Sequence, residues 1–252
     1  MNQFRNIIFS NPLEFQITRP SPCSYLDGRV EQRLAADLSR HAQHHDNLAE
    51  AGFRRVENWV YKPICSNCNA CLPIRIPAGK ISGGALELSR NQRRVINRNA
   101  DLQRNVLPNF SRQDHYDLFR YYLDKRHSDG QMAEMDEEKY AAMISSSPIE
   151  TVLIEYRLED RPVAVVMVDI QRDGLSAVYS FFDPDLEDRS LGTYMVLDCA
   201  ALAHEMGLAY VYLGYFIRDC AKMNYKSRFK PAEVMIRGHW QPLESLTAAS
   251  PD

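Results

Sequence analysis

TVLIEYRL (151–158), VAVVMVDI (163–170) and LSAVYSFF (175–182) decide how this chain folds. Each run is rich in β-branched and aromatic residues, and short turn sequences separate them at 159–162 and 171–174, so the stretch reads as a three-stranded antiparallel meander. Towards the C-terminus, FDPDLEDRS (182–190) reads as a loop, LGTYMVLDCAALAHEM (191–206) as a helix that stops before Gly207, and AYVYLGY (209–215) as another strand. Towards the N-terminus lie two expected helices, 136–144 and 109–127. In the second of these, Tyr116, Phe119, Tyr122 and Leu123 gather on one side, which suits core packing.

The first third is less regular. EFQIT (14–18) reads as a short strand, CSYLDGR (23–29) as a turn, and 47–51 as the end of a helix at Gly52. FRRVENWVY (53–61) alternates about Glu57 and Asn58 as a hairpin, and 72–76 reads as a strand limited by Pro73 and Pro77. KISGGALELS (80–89), with Gly83 and Gly84, is the expected flexible crossing. The expected fold class is α+β. Its C-terminal half resembles the acyl-CoA N-acyltransferase (GNAT) arrangement of three antiparallel strands, a helix and another strand. The expected organisation is a cysteine-containing region over 1–88, a GNAT-like domain over 89–240 opened by a basic helix, and a flexible tail over 241–252.

At 252 residues, 45% hydrophobic and 25% charged, the composition is that of an ordinary globular protein and excludes collagen-like and disordered classes. No apolar run approaches the roughly 20 residues of a membrane span. The opening MNQFRNIIFSNPLEF has no long apolar segment of the kind a secretory signal needs, so no membrane partner and a cytoplasmic location are expected.

The net charge of −3 conceals two basic stretches. Residues 90–104 hold Arg90, Arg93, Arg94, Arg98 and Arg104 against Asp101, a net of +4; residues 214–240 reach +4 as well, leaving −11 elsewhere. An acidic chain that collects its cations this way suits a polyanionic partner. On a helix, Arg90, Arg94 and Arg98 fall at i, i+4 and i+8 with Arg93 beside them, a stripe able to follow a phosphate backbone.

Three of the six cysteines form Cys65-x-x-Cys68-x-x-Cys71, which is not the disulfide framework of a secreted protein. With Cys23 they could supply four thiolates to zinc or an iron–sulfur cluster; the alternative is a set of reduced, metal-free thiols.

Taken together, CSYLDGR (23–29), GFRR (52–55), VYKPIC (60–65) with its two following cysteines, SRNQRR (89–94), FFDPD (181–185), SLGTY (190–194), YLGY (212–215) and CAKMNYK (220–226) resemble the ordered blocks of bacterial aspartate/glutamate leucyltransferases. These are similar to the eukaryotic arginyl-tRNA–protein transferases. Phe216 stands where many relatives carry Trp, so an aromatic is kept. The resemblance implies transfer of leucine from leucyl-tRNA to the N-terminal amine of proteins beginning with Asp or Glu, marking them for degradation through the N-degron pathway. It also implies that the acceptor end of tRNA replaces coenzyme A, and the wider family keeps an iron cluster open for the cysteines.

The ester of an aminoacyl-tRNA is already activated, so the transfer needs no cofactor. It needs a neutral α-amine, held in place, and donors to the developing oxyanion. Expected catalytic residues are Tyr179, Tyr225 and Asp183, the last as a proton acceptor or ammonium partner unless it serves only its turn. A cation should face the acidic side chain, and Arg75, Lys222, Lys226 and Arg228 are the candidates; Tyr25 and Tyr215, inside the shared blocks, are counted as substrate-binding with them. A single-glycine RSLGTY turn (189–194) suits pyrophosphate poorly, which disfavours a CoA-dependent acetyltransferase. A non-catalytic RNA-binding module would leave the GNAT-like half without a purpose, and arginyl rather than leucyl transfer is the alternative within the family.

Overall fold

The computed structural model describes residues 12–79, 86–128, 130 and 132–247. The opening segment, the crossing at Gly83 and Gly84, and residues 248–252 of the expected tail lie outside the described residues. The strands are β1 (Gln16–Ile17), β2 (Ser21–Pro22), β3 (Val30–Glu31), β4 (Arg33–Asp37), β5 (Arg54–Val56), β6 (Trp59–Pro63), β7 (Leu72–Pro77), β8 (Gln103–Pro108), β9 (Thr151–Leu158), β10 (Arg161–Ile170), β11 (Gly174–Phe182), β12 (Tyr210–Phe216), β13 (Glu233–Ile236) and β14 (His239–Pro242). The helices are α1 (His45–Glu50), α2 (Arg90–Arg98), α3 (Gln113–Arg126), α4 (Glu137–Ser145), α5 (Leu191–Glu205) and α6 (Ala221–Asn224).

Eight strands form one sheet in the order β14-β13-β7-β12-β11-β10-β9-β8, and β1-β4-β6-β5 form a second, smaller one. The meander is β9–β11, antiparallel throughout, with one register shift in each pair, at Met167/Val168 and at Pro162/Ala164. Its continuous apolar runs follow from cover on both faces. Alternate side chains of a strand point to opposite faces, so Ala164, Val166 and Val168 pack with α5 residues such as Leu197 and Ala200. Val165 and Met167 pack on the other face against Phe119, Leu123, Tyr140 and Ile144 of α3 and α4. Phe119 and Leu123 on the aromatic side of α3 are therefore core, with Tyr116 and Tyr122 half-buried against it.

The large sheet also takes in β7, paired antiparallel with both β12 and β13. A boundary at 88 thus does not separate two sheets: a strand of the cysteine-containing region is central to the larger one. Among the described residues of the 241–252 segment, β14 ends at Pro242 and a 3₁₀ turn follows over Leu243–Thr247. The sheets are joined by a buried bidentate ion pair. Arg55 of β5 donates from Nε and Nη2 to Asp169 of β10 at 2.7 and 2.6 Å, and the Thr151 hydroxyl donates to the same carboxylate at 2.8 Å.

Candidate functional site

β11 and β12 run parallel but pair only at Gly174–Ser176 against Tyr210–Tyr212. Beyond that point β12 continues alongside β7, with Tyr215 opposite Pro73, and Gly214 adopts a left-handed conformation at φ +81°. The two strands part, and a cavity of about 620 Å³ lies between them, walled by both strands and by Gly192, Thr193, Met195 and Val196 of α5. A second cavity of about 380 Å³ adjoins it, with Tyr25, Tyr61 and Tyr215 lining both.

Six of the residues singled out from sequence line the larger cavity: Tyr25, Tyr179, Tyr215, Lys222, Tyr225 and Lys226. Burial raises the pKa of the Tyr179 hydroxyl, with Tyr122 adding to the shift, and holds it protonated. Tyr225 as a residue is 38% exposed, yet burial around its hydroxyl also raises its pKa. Tyr25 is pushed up to about 12, by burial and then by Tyr61. Tyr215 holds the two sheets together, its hydroxyl shared between the carbonyls of Gly52 and Tyr61 at 3.1 Å each. Lys226 is 7% exposed and donates to the Tyr215 carbonyl at 2.7 Å. Burial, then the nearby Arg54 charge, pull its pKa down to about 7.

Three expected site residues lie elsewhere. Arg75 has its guanidinium 3.6 Å from the centre of the Tyr210 ring and 4.3 Å from that of Trp240, and donates to Glu233 at 2.7 Å. It is a packed, ion-paired group of the sheet, with its charge already met. Asp183 accepts from Arg161 at 2.6 Å and from the backbone NH of Asp185 at 3.0 Å, so its carboxylate is committed to the turn. Arg228 is exposed, and its backbone carbonyl accepts from Gln92 at 3.0 Å.

Sequence reasoning missed Arg54 as a site residue. It lines the cavity beside Lys226, with Nη2 donating to the Ala177 carbonyl at 2.9 Å. The signal that could have found it was two adjacent arginines in a short hairpin strand, where alternation sends one to each face: Arg55 to Asp169, Arg54 to the cavity.

Arg90, Arg93, Arg94 and Arg98 are all exposed on α2, whose opposite side buries Gln92, Val95 and Asn99. Ser89 caps the helix, accepting from the Gln92 backbone while the Gln92 side chain accepts from Ser89 in return. None of the four arginines forms a salt bridge among the described residues. Arg98 and Asn99 donate to the carbonyls of Asp188 and Arg189 just before α5, and Gln92 donates to that of Arg228. The helix is thereby tied to the segments on both sides of the cavity.

Cys23, Cys65, Cys68 and Cys71 line the smaller cavity. Burial lifts the Cys71 thiol to about 12, and the three other cysteines add to the shift. Among the described residues, the only three metal-capable side chains with donor atoms all within 4.8 Å of one another are Asp114, His115 and Glu155. No three cysteine sulfurs among those residues are as close as that. Sulfurs around one zinc ion stand about 3.8 Å apart, from Zn–S bonds of about 2.3 Å in a tetrahedron. As it stands, the thiol set is more open than the ligand shell of a single zinc ion.

Residues 21–94 match the model of the family described as arginine-tRNA-protein transferase, N terminus, and residues 114–236 match its C-terminus counterpart. The chain is 44% identical over 236 residues to the aspartate/glutamate leucyltransferase of Gluconacetobacter diazotrophicus, covering 92% of this chain and 89% of that one. It is 47% identical over 238 residues to that of Cereibacter sphaeroides, covering 91% and 83%, and 45% identical over 242 residues to that of a Ruegeria species, covering 93% and 86%. With both halves matched and identity sustained over nine tenths of its length, the chain belongs to the arginine-tRNA-protein transferase family, among its aspartate/glutamate leucyltransferases.

Proposed function

We propose that this chain transfers leucine from leucyl-tRNA to the N-terminal α-amine of proteins that begin with Asp or Glu, marking them for N-degron degradation. The observation that carries this reading is the cavity between β11 and β12, with an arginine helix tied to both sides of it. A GNAT-like use of the parted strands has the amine approach an acyl donor held between them. Exposed, unpaired arginines at that edge suit the phosphates of the tRNA acceptor arm. The single glycine in the first turn of α5, Gly192, favours that donor over coenzyme A. The apolar groups of Val166, Met195, Val196 and Leu213 make a floor suited to the leucine side chain.

In the reaction the amine nitrogen attacks the ester carbonyl, a C–N bond forms, the C–O bond to the tRNA ribose breaks, and the amine proton leaves for the ribose oxygen. Positioning supplies several kcal/mol, on the order of 7–11 in ideal cases. The protonated hydroxyl of Tyr225 or Tyr179 can donate to the oxyanion, a contribution of about 3–4 kcal/mol. Lys226, pulled to about 7, is a poor fixed cation at neutral pH and a workable acceptor for the proton the ammonium must lose. The transfer requires no cofactor. Cys23, Cys65, Cys68 and Cys71 are the residues that would hold zinc or an iron–sulfur cluster; such a group would hold together the loops carrying them, Tyr25 among them. The reaction uses charged tRNA, which suits a cytoplasmic location.

Mass spectrometry of an Asp-starting peptide after incubation with leucyl-tRNA tests the reading. Gain of one leucyl group supports it; gain of an acetyl group from acetyl-CoA instead selects a conventional acetyltransferase.

A further inference from the structure

Arg54 is a cation inside the larger cavity whose charge nothing in the described chain meets. Its Nη2 donates to the neutral carbonyl of Ala177, its Nη1 is buried without a hydrogen-bond partner, and no carboxylate pairs with it among the described residues. Such an arrangement is costly even for a half-buried guanidinium, because charged groups withdrawn from water in folded proteins are paired. It is also built in. At Gly214, where the backbone is left-handed, an added Cβ would stand 2.9 Å from the Arg54 Cζ, so only glycine leaves room for the guanidinium to lie across β12. Burial first, and then Arg54, lower the pKa of Lys226, so the lysine beside it is a weaker fixed charge than the guanidinium.

We propose that Arg54 reads the acidic side chain of the acceptor N-terminus, its guanidinium meeting that carboxylate within the cavity. The inference rests on the leucyl-transfer reading and names the group that selects its acceptor. Arginine keeps its charge at every working pH and matches the plane of a carboxylate, which the neighbouring lysine does not. A tRNA phosphate is the less suitable occupant. A nucleic-acid backbone presents charge after charge and is met by spaced exposed cations, as on α2, whereas Arg54 is the only arginine among the described residues lining this cavity.

The test compares peptides beginning with Asp and with Asn, which differ in charge and little in shape. Transfer and peptide binding are measured with wild-type protein, Arg54→Met, Arg54→Lys and Lys222→Ala. Arg54→Met is expected to lower kcat/KM for the Asp peptide by ~30-fold or more, as loss of one partner of a buried charge pair does, and to leave the Asn peptide nearly unchanged. The KM for leucyl-tRNA should stay as it is, and Arg54→Lys should keep part of the preference for Asp. Equal losses on both peptides would overturn the proposal, as would a raised leucyl-tRNA KM with the Asp preference intact, or loss of that preference in Lys222→Ala alone. If Arg54→Met does not fold, Arg54→Lys decides: an Asp preference equal to wild type refutes the role of guanidinium geometry. If wild-type protein transfers leucine to neither peptide, the leucyl-transfer reading fails by itself. Titration of the Asp and Asn peptides without tRNA then still judges Arg54, with weaker Asp-peptide binding in Arg54→Met upholding it and unchanged binding overturning it.

Discussion

Replacing Lys226 by methionine removes a buried ammonium while keeping an unbranched stem of similar length. In the folded protein the lysine pKa lies at about 7 against an ordinary 10.5, through burial and then through Arg54. At about 1.36 kcal/mol per pKa unit, the charged form costs the fold about 5 kcal/mol below pH 7. Between pH 7 and pH 10 the unfolded chain holds this proton and the folded chain does not. Unfolding therefore takes up a proton, and wild-type stability rises with pH by up to about 1.4 kcal/mol per unit. Below pH 7 both states hold the proton and the dependence disappears. Methionine cannot donate to the Tyr215 carbonyl, which costs about 1–3 kcal/mol at every pH. Lys226→Met should thus be more stable than wild type by about 2–4 kcal/mol at pH 6, with the gain reduced by roughly 2–3 kcal/mol at pH 9. Urea unfolding of both proteins at each pH unit from 6 to 9 measures the difference, and other titrating groups cancel in it. A difference that stays constant with pH, or grows as pH rises, would refute the assignment of this lysine as a group neutralised by burial.

Alanine at both Arg90 and Arg94 should weaken tRNA binding without changing peptide affinity, and flatten the slope of log affinity against log salt by about 0.7–0.9 for each phosphate no longer neutralised; an unchanged slope returns α2 to a merely solvated helix. Arg55→Ala leaves Asp169 buried with only the Thr151 hydroxyl, so the denaturation free energy should fall by about 3–5 kcal/mol, and a loss under about 1 would contradict the role given to that ion pair. Anaerobic isolation followed by elemental analysis should find zinc or iron with wild-type protein and a marked loss with Cys68→Ser; active protein with both metals well below one equivalent would show that the thiols work without them.

The parts of this molecule that were legible in the sequence are those determined by near neighbours. The meander at 151–182, the hairpin at 53–61, the capped basic helix after Ser89 and the helix stop before Gly207 each depend on periodicity or turn chemistry within a few residues. What long-range pairing decides was not legible. Nothing local in LPIRIP tells β7 that it will lie between β12 and β13, and β8 was hidden because QRNVLP continues a charged stretch. The same distinction sorts the site residues. Tyr179, Lys222, Tyr225 and Lys226 lie on or just after strands that wall the cavity. Arg75 looked like a free cation because Glu233, Tyr210 and Trp240 are distant in sequence. Arg54 was overlooked because its lack of a partner appears only once β5 is placed against Gly214.

The most direct test is a matrix of donors and acceptors: leucyl-tRNA and arginyl-tRNA, each offered to peptides beginning with Asp, Glu, Lys and Arg, with the transferred residue identified by mass. Leucine is predicted on the Asp and Glu peptides, and neither residue on the Lys and Arg peptides. Arginine on the acidic peptides would assign the alternative donor, and leucine on the Lys or Arg peptides in place of the acidic ones would contradict leucyl transfer to acidic N-termini.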